Sequence, residues 1–333
     1  MKLKNTLLLS AIAVAAAASV PFVLDPETSY VVFFLFTAFI YIALTQSWNL
    51  VAGYTGQVSL GHHAFFGMGA YVVGMLWVRG LIGYLDPVGF LLAGCGASML
   101  AVLVGTPLLS KLRGDYFALG TLGLGEILRK SIIQGEAFTG GSSGLLLNAS
   151  SFSTIVPHYF IALFLAILAI AVTWYMAKSH IGLALVNIRD DEESAAASGI
   201  NILKFKVLAF AVGAFIAGLC GGLQGYFLFH VEPQGFYNLN WTLYPVLMCV
   251  IGGVGTLWGP IIGAMFLTVV FELAKYWLPA VHPILSGLLI ILTIIFLPNG
   301  LVGLKEVWLQ PGKRKEVRFF QRGRIKISKR IGL

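Results

Sequence analysis

The sequence predicts an all-α polytopic membrane protein of about ten spanning helices, within a range of eight to ten. Three observations predict it. Of 333 residues, 58% are hydrophobic and 11% charged, with a mean hydropathy of +0.87, a balance too apolar for a soluble chain. Apolar runs approaching the ~20 residues that a spanning helix needs recur along the chain. Lys and Arg gather in alternate connecting segments, as short cytoplasmic loops require.

The runs lie at 6–24, 30–51, 63–79, 88–109, 115–134, 157–177, 203–229, 241–256, 258–277 and 282–298. Residues 1–20 also read as a signal peptide, with a basic start, an apolar run and small residues near Ala18. Continuation of the run through Pro21 to Leu24 favours a retained first helix. Lys2 and Lys4 then place the N-terminus in the cytoplasm. Lys111 and Arg113 follow the fourth span, Lys178, Arg189, Lys204 and Lys206 flank the segment after the sixth, and a basic tail follows the tenth. Segments 25–29, 135–158 and 231–240 fall outside and contain no Lys or Arg. Arg79 and the pair Arg129-Lys130 depart from the rule.

The tail from Lys313 to Arg330 holds nine Lys or Arg against the single Glu316, and the rest of the chain is balanced at 13 of each sign. Such a run could bind nucleic acid, but beside a hydrophobic segment it more simply anchors the protein to the lipid bilayer at an anionic cytoplasmic leaflet, so no nucleic-acid partner is expected. Cys95, Cys220 and Cys249 lie in apolar stretches without metal-like spacing and read as packing residues.

Two polar, glycine-rich interruptions break the apolar runs. The first is Gly53-Tyr54-Thr55-Gly56-Gln57-Val58-Ser59-Leu60-Gly61-His62-His63, preceded by Gln46, Ser47, Trp48 and Asn49. The second is Gly252-Gly253-Val254-Gly255-Thr256-Leu257-Trp258-Gly259-Pro260. Non-helical backbone at membrane depth is tolerated only where protein or a watery cavity surrounds it. Paired interruptions in the two halves point to an internal repeat meeting at a substrate path; close helix packing explains the same glycines. The candidate translocation path is therefore Asn49, Thr55, Gln57, Ser59, His62, Thr121, Glu126, Gly253 and Thr256. Adjacent His62 and His63 point about 100° apart on a helix, which suits one packed and one cavity-facing ring better than a shared metal. Intramembrane carboxylates are functional candidates, yet Arg129 three residues after Glu126 and Lys275 three residues after Glu272 offer neutralising partners.

No Gly-x-x-x-x-Gly-Lys-Ser/Thr run occurs, nor a His-Glu-x-x-His or Gly-x-Ser-x-Gly motif. The expectation is a chain that is not an enzyme and binds no cofactor. Residues 1–304 form a single membrane domain, with a cytoplasmic coupling loop at about 179–202, and residues 305–333 form the basic cytoplasmic tail.

Within that loop, Asp190 to Glu193 make an acidic turn suited to a helix N-terminus, Ala195 to Ala197 propagate the helix, and Gly199 ends it. A short cytosolic helix is predicted, with a solvated charged turn as the alternative. Glu193-Ser194-Ala195-Ala196-Ala197-Ser198-Gly199 resembles the Glu-Ala-Ala-x-x-x-Gly pattern of ABC importer permeases, with Ser194 in place of alanine. Further blocks run from Trp48 to His62, Gly114 to Gly123, Thr139 to Gly141, Ile188 to Gly199, Ile251 to Pro260 and Pro298 to Leu301. In this order they resemble the LivM/LivH-type branched-chain amino-acid ABC transporter permeases, closest to LivM, over about residues 40 to 304.

That resemblance implies the ABC importer permease fold in a bacterial cytoplasmic membrane. It also implies cytosolic ATPase subunits that use ATP, a second homologous permease and an extracytoplasmic solute-binding protein. It assigns the ATPase-coupling loop to Arg189, Asp190, Glu192, Glu193, Ala195 and Gly199. The implied substrate is a branched-chain or related amino acid, with urea or a short-chain amide as the alternative within the family. A secondary transporter or channel is the alternative outside it.

Overall fold

A computed structural model describes residues 2–26, 29–277 and 301. The described residues are almost wholly helical: α1 (Lys2–Val23), α2 (Tyr30–Thr55), α3 (His62–Val78), α4 (Pro87–Lys111), α5 (Asp115–Gln134), α6 (Glu136–Thr139), α7 (Val156–Lys178), α8 (His180–Asp190), α9 (Glu192–Ala197), α10 (Ile202–Leu228), α11 (Pro233–Phe236), α12 (Asn240–Gly252) and α13 (Trp258–Trp277). Among them α2, α4, α7, α10 and α13 are long and apolar enough to cross a membrane. The expected run at 282–298 and the basic tail lie outside the described residues.

Among the described residues each of the nine expected runs from 6–24 to 258–277 is helical, and one of them, α12, falls short of a full span. At 1.5 Å per residue the 13 residues of α12 reach only about 20 Å, against ~30 Å of hydrocarbon. The expected outer loop before it is packed into the protein: Val231, Phe236 and Tyr237 are buried. Phe236 and Trp241 stack on Phe66 of α3, with ring centroids 5.8 and 4.1 Å away. The chain packs beside α3 before α12 begins, and the expected run at 241–256 ends early, at Gly252, where Gly253 opens the second break.

Helix α10 is the spine, packing against α3, α4 and α2. Small residues permit the approach, as they do wherever apolar helices meet without a hydrophobic driving force. A Cβ on Gly218 would stand 2.6 Å from Ala97 Cβ and 2.7 Å from the Ala93 carbonyl of α4. One on Gly221 would collide with the Phe66 carbonyl of α3. Gly218→Leu is expected to lower stability by about 2 kcal/mol through overpacking, read as a reduced melting temperature of the detergent-purified protein; an unchanged melting temperature would contradict this packing.

At one end, β1 (Leu145–Leu146) and β2 (His230–Val231) form a two-stranded antiparallel ribbon, with Leu145 opposite Val231 and Leu146 opposite His230. It joins two of the segments that contain no Lys or Arg. Arg79, at the end of α3, lies over the Phe138 ring at 5.5 Å, at this same end. The opposite end carries α8 and α9, below the C-terminal ends of α2 and α7.

Candidate functional site

The two interruptions meet at the α8–α9 end of the bundle. Helix α2 closes on Gly56 in the left-handed region (φ 73°), and α12 closes on Gly253 (φ 126°). These closures leave backbone groups without helical partners, and side chains of α2 satisfy them. Asn49 Nδ2 donates to the Thr256 carbonyl at 2.9 Å, while Asn49 Oδ1 accepts from Gly255 N at 2.8 Å and from Cys249 Sγ at 3.4 Å. Gln46 Nε2 donates to the Leu257 carbonyl at 2.7 Å. Backbone also touches backbone here, since a Cβ on Gly53 would stand 2.7 Å from Gly255 N. Within the second break, Thr256 Oγ1 donates to the Gly253 carbonyl at 2.8 Å and accepts from Gly259 N at 3.0 Å.

The charged segment sits directly against this junction, and it is two helices rather than one. Helix α8 starts where the Ser179 hydroxyl accepts from Ile181 N at 3.2 Å. It buries Gly182, Ala184, Leu185 and Ile188, and Leu185 packs with Leu50 and Tyr54 of α2 and Ala209 of α10. Asp190 ends α8 instead of opening the coupling helix. Asp191 caps α9, accepting from Glu193 N at 2.9 Å and Ser194 N at 3.1 Å. Gly199 (φ 81°) closes it, with Ile200 N bonded to the Ala195 carbonyl and Gly199 N to that of Ala196, a Schellman closure. Only Ala195 of α9 is buried; Glu193, Ser194, Ala196, Ala197, Ser198 and Gly199 are exposed.

Three polar links fasten this pair to the junction. Arg189 Nη1 donates to the Gly53 carbonyl at 3.0 Å, while its Nε and Nη2 donate to Asp190 Oδ1 at 3.2 Å. Glu192 Oε1 accepts from Gln57 Nε2 at 3.2 Å. The same oxygen pairs with Lys206 Nζ of α10, whose side chain is 2% exposed. Thus the first break, α10 and the exposed α9 share one carboxylate.

Sequence reading placed Lys206 among loop charges and assigned it no role. A Lys five residues into an apolar helix requires a buried partner, which was the available signal.

The other candidate path residues fall into three settings. Thr55, Ser59 and Thr121 are buried and serve local backbone. Thr55 Oγ1 donates to the Val51 carbonyl at 2.5 Å, Ser59 Oγ accepts from Gly61 N at 3.3 Å, and Thr121 Oγ1 accepts from Leu60 N at 3.0 Å. His62 and His63 are both 1% exposed. His63 meets Thr242 Oγ1 of α12 through Nδ1 at 3.0 Å and through its backbone N at 2.8 Å, whereas neither ring nitrogen of His62 has a hydrogen-bond partner among the described residues. Glu126 stands apart, half-exposed on α5 and paired with Arg129 at 2.8 Å. Glu272 likewise pairs with Lys275 at 2.7 Å and accepts from Tyr30 Oη. Among the described residues no three His, Cys, Asp or Glu side chains come together as a metal site would require.

A family model described as "Branched-chain amino acid transport system / permease component" matches residues 30–297. The chain is similar to the high-affinity branched-chain amino acid transport system permease protein LivM of Escherichia coli K12, with 29% identity across 79% of this chain and 68% of that protein. It is 23% identical to a probable LivM of Methanocaldococcus jannaschii, across 83% of this chain and 94% of that protein. It is 26% identical to the permease protein LivH of Salmonella typhimurium, across 84% and 83%. No solved structure matches the chain. With blocks in family order, broken spans that meet, and a model match over most of its length, the chain belongs to the branched-chain amino acid transport system permease component family.

Proposed function

We propose that this chain is the membrane-spanning permease subunit of an ATP-binding cassette importer for branched-chain or related amino acids. The observation that carries this reading is the joining of α8 and the exposed short helix α9 to the first helix break and to α10 through Arg189, Gln57, Glu192 and Lys206, with Asn49 joining that break to the second. The ATPase subunits hydrolyse ATP and grip the exposed face from Glu193 to Gly199 on the cytoplasmic side, where both termini lie. Closure of the ATPases displaces α9, and the displacement reaches the break through Gln57 and Gly53. Interfaces of this kind are bistable, so a small shift switches the spans between outward-open and inward-open arrangements. A second homologous permease completes the path, and an extracytoplasmic solute-binding protein delivers ligand at the ribbon end.

Two measurements test the reading. Purification from the native membrane is expected to bring ATPase subunits with the chain, and reconstituted complex is expected to hydrolyse ATP faster with leucine, isoleucine or valine than with urea or short amides. Transport without any ATPase subunit would overturn the ABC assignment; stimulation by urea alone would overturn the substrate. Within α9, Gly199→Val forces a β-branched residue into the left-handed region, at a cost of about 1–2 kcal/mol, and undoes the closure. With Glu193→Ala it is expected to lower uptake per ATP hydrolysed severalfold. Unchanged coupling in both variants would remove α9 from the ATPase contact.

A further inference from the structure

A cleft of about 430 Å³ opens at the ribbon end, lined by Leu228, His230, Glu232, Gly235, Phe236 and Trp241. Its volume falls in the range typical of small-molecule sites. Its polar groups are committed elsewhere, with one exception. Trp241 Nε1 donates to the Gly235 carbonyl at 3.0 Å, and His230 Nε2 meets the Ser143 carbonyl at 2.9 Å. Trp241 and Phe236 therefore offer apolar faces to the cleft, and both rest on Phe66.

The exception is the Glu232 carboxylate. Glu232 is the residue before α11, and its carboxylate makes no capping bond to that helix. Its side chain lies over Gly235, where an added Cβ would stand 3.2 Å from Oε1. The residue is half-buried, no cation pairs with it among the described residues, and its loop and the facing 135–158 segment contain no Lys or Arg. Behind the aromatic wall the hydroxyls of Tyr71 and Tyr237, whose rings are 5.9 Å apart, are buried without hydrogen-bond partners. One free negative charge against apolar walls selects a ligand with a cationic head and an aliphatic body. From this cleft the chain runs inward through Trp241 and Thr242 to His63, beside the first break.

We propose that the cleft is an outer entry site for aliphatic amino acids, in which Glu232 receives the α-ammonium group and Phe236 with Trp241 receives the side chain. The ligand carboxylate faces the open side. This site rests on the importer reading above and names the recognition chemistry at its outer mouth. A protein contact would present a projecting charge; Glu232 is recessed beside Gly235.

The test uses the purified permease–ATPase complex without solute-binding protein, photolabelled with a diazirine-bearing leucine analogue and mapped by mass spectrometry. Labelling is expected within residues 228–241. Leucine and 3-methylbutan-1-amine, which keep the ammonium, are expected to compete, and 4-methylpentanoate, which lacks it, is not. Glu232→Gln is expected to reduce labelling by about tenfold, the worth of a charge-assisted hydrogen bond, and Glu232→Asp by less. Equal competition by the acid, or undiminished labelling of the Gln variant, would overturn the site. If the Gln variant does not assemble, the competition on unmodified protein decides. Leucine uptake by the unmodified complex supplied with its solute-binding protein is measured alongside: uptake with no Glu232-dependent labelling refutes the cleft alone, and absence of uptake refutes the importer reading.

Discussion

Replacing Gly53 by alanine is expected to abolish transport and to lower the melting temperature of the purified complex. The added methyl would collide with Asn49 Oδ1 and stand 2.7 Å from Gly255 N. Neither obstacle can yield at low cost. The Asn49 carboxamide holds Gly255 N and the Thr256 carbonyl, so moving it strips partners from buried backbone, and Gly255 N is itself main chain. Overpacking with loss of these bonds sums to about 3 kcal/mol. The alternative reading of these glycines as mere packing aids makes a different forecast. If packing alone mattered, Gly53→Ala would shift stability and uptake together with Gly218→Leu, whereas a junction that transmits movement makes uptake fall far more for Gly53→Ala at a matched melting temperature.

Glu192→Gln carries the second large effect. Lys206 is 2% exposed on its side chain and Glu192 24% exposed, so the two partners are not equivalent. Removing the carboxylate strands the ammonium in a site that water hardly reaches, and breaking a buried pair in this way costs about 3 kcal/mol. Lys206→Met leaves a carboxylate that water can reach and that Gln57 still serves, so it costs less. The double variant Lys206→Met with Glu192→Gln is expected to be more stable than Glu192→Gln alone, because no unpaired charge remains. Melting temperatures of the four proteins in one detergent give the order directly. Equal losses for the two single variants, adding in the double, would show that the pair is not coupled.

The sequence displays some of this arrangement and conceals the rest for identifiable reasons. Both breaks are legible because Gly, Ser, Thr and Gln cannot hide within an apolar run. The end of α9 is legible because a Schellman closure needs Gly199, and the pairs Glu126–Arg129 and Glu272–Lys275 are legible from helical spacing. The start of α9 is less so. Asp190 and Asp191 are both good caps by composition, and only the fold, with α8 packed under α2, shows that Asp191 takes the role. The end of α12 is less legible, because the expected run at 241–256 reads on into the second break while Gly253 closes the helix. The links among Gln57, Glu192 and Lys206 join residues far apart in the chain, and no local pattern encodes them.

The central claim is that α9 carries the pull of the ATPases to the two breaks. Its most direct test is cross-linking from a photoreactive residue at position 194, in the exposed face of α9, within the reconstituted complex. The expected result is capture of an ATPase subunit, with capture increased when ATP closes the ATPases, while the same probe at Asn148 on the ribbon side captures none. Capture of the ATPase from position 148 and not from position 194 would contradict both the contact and the orientation on which it depends.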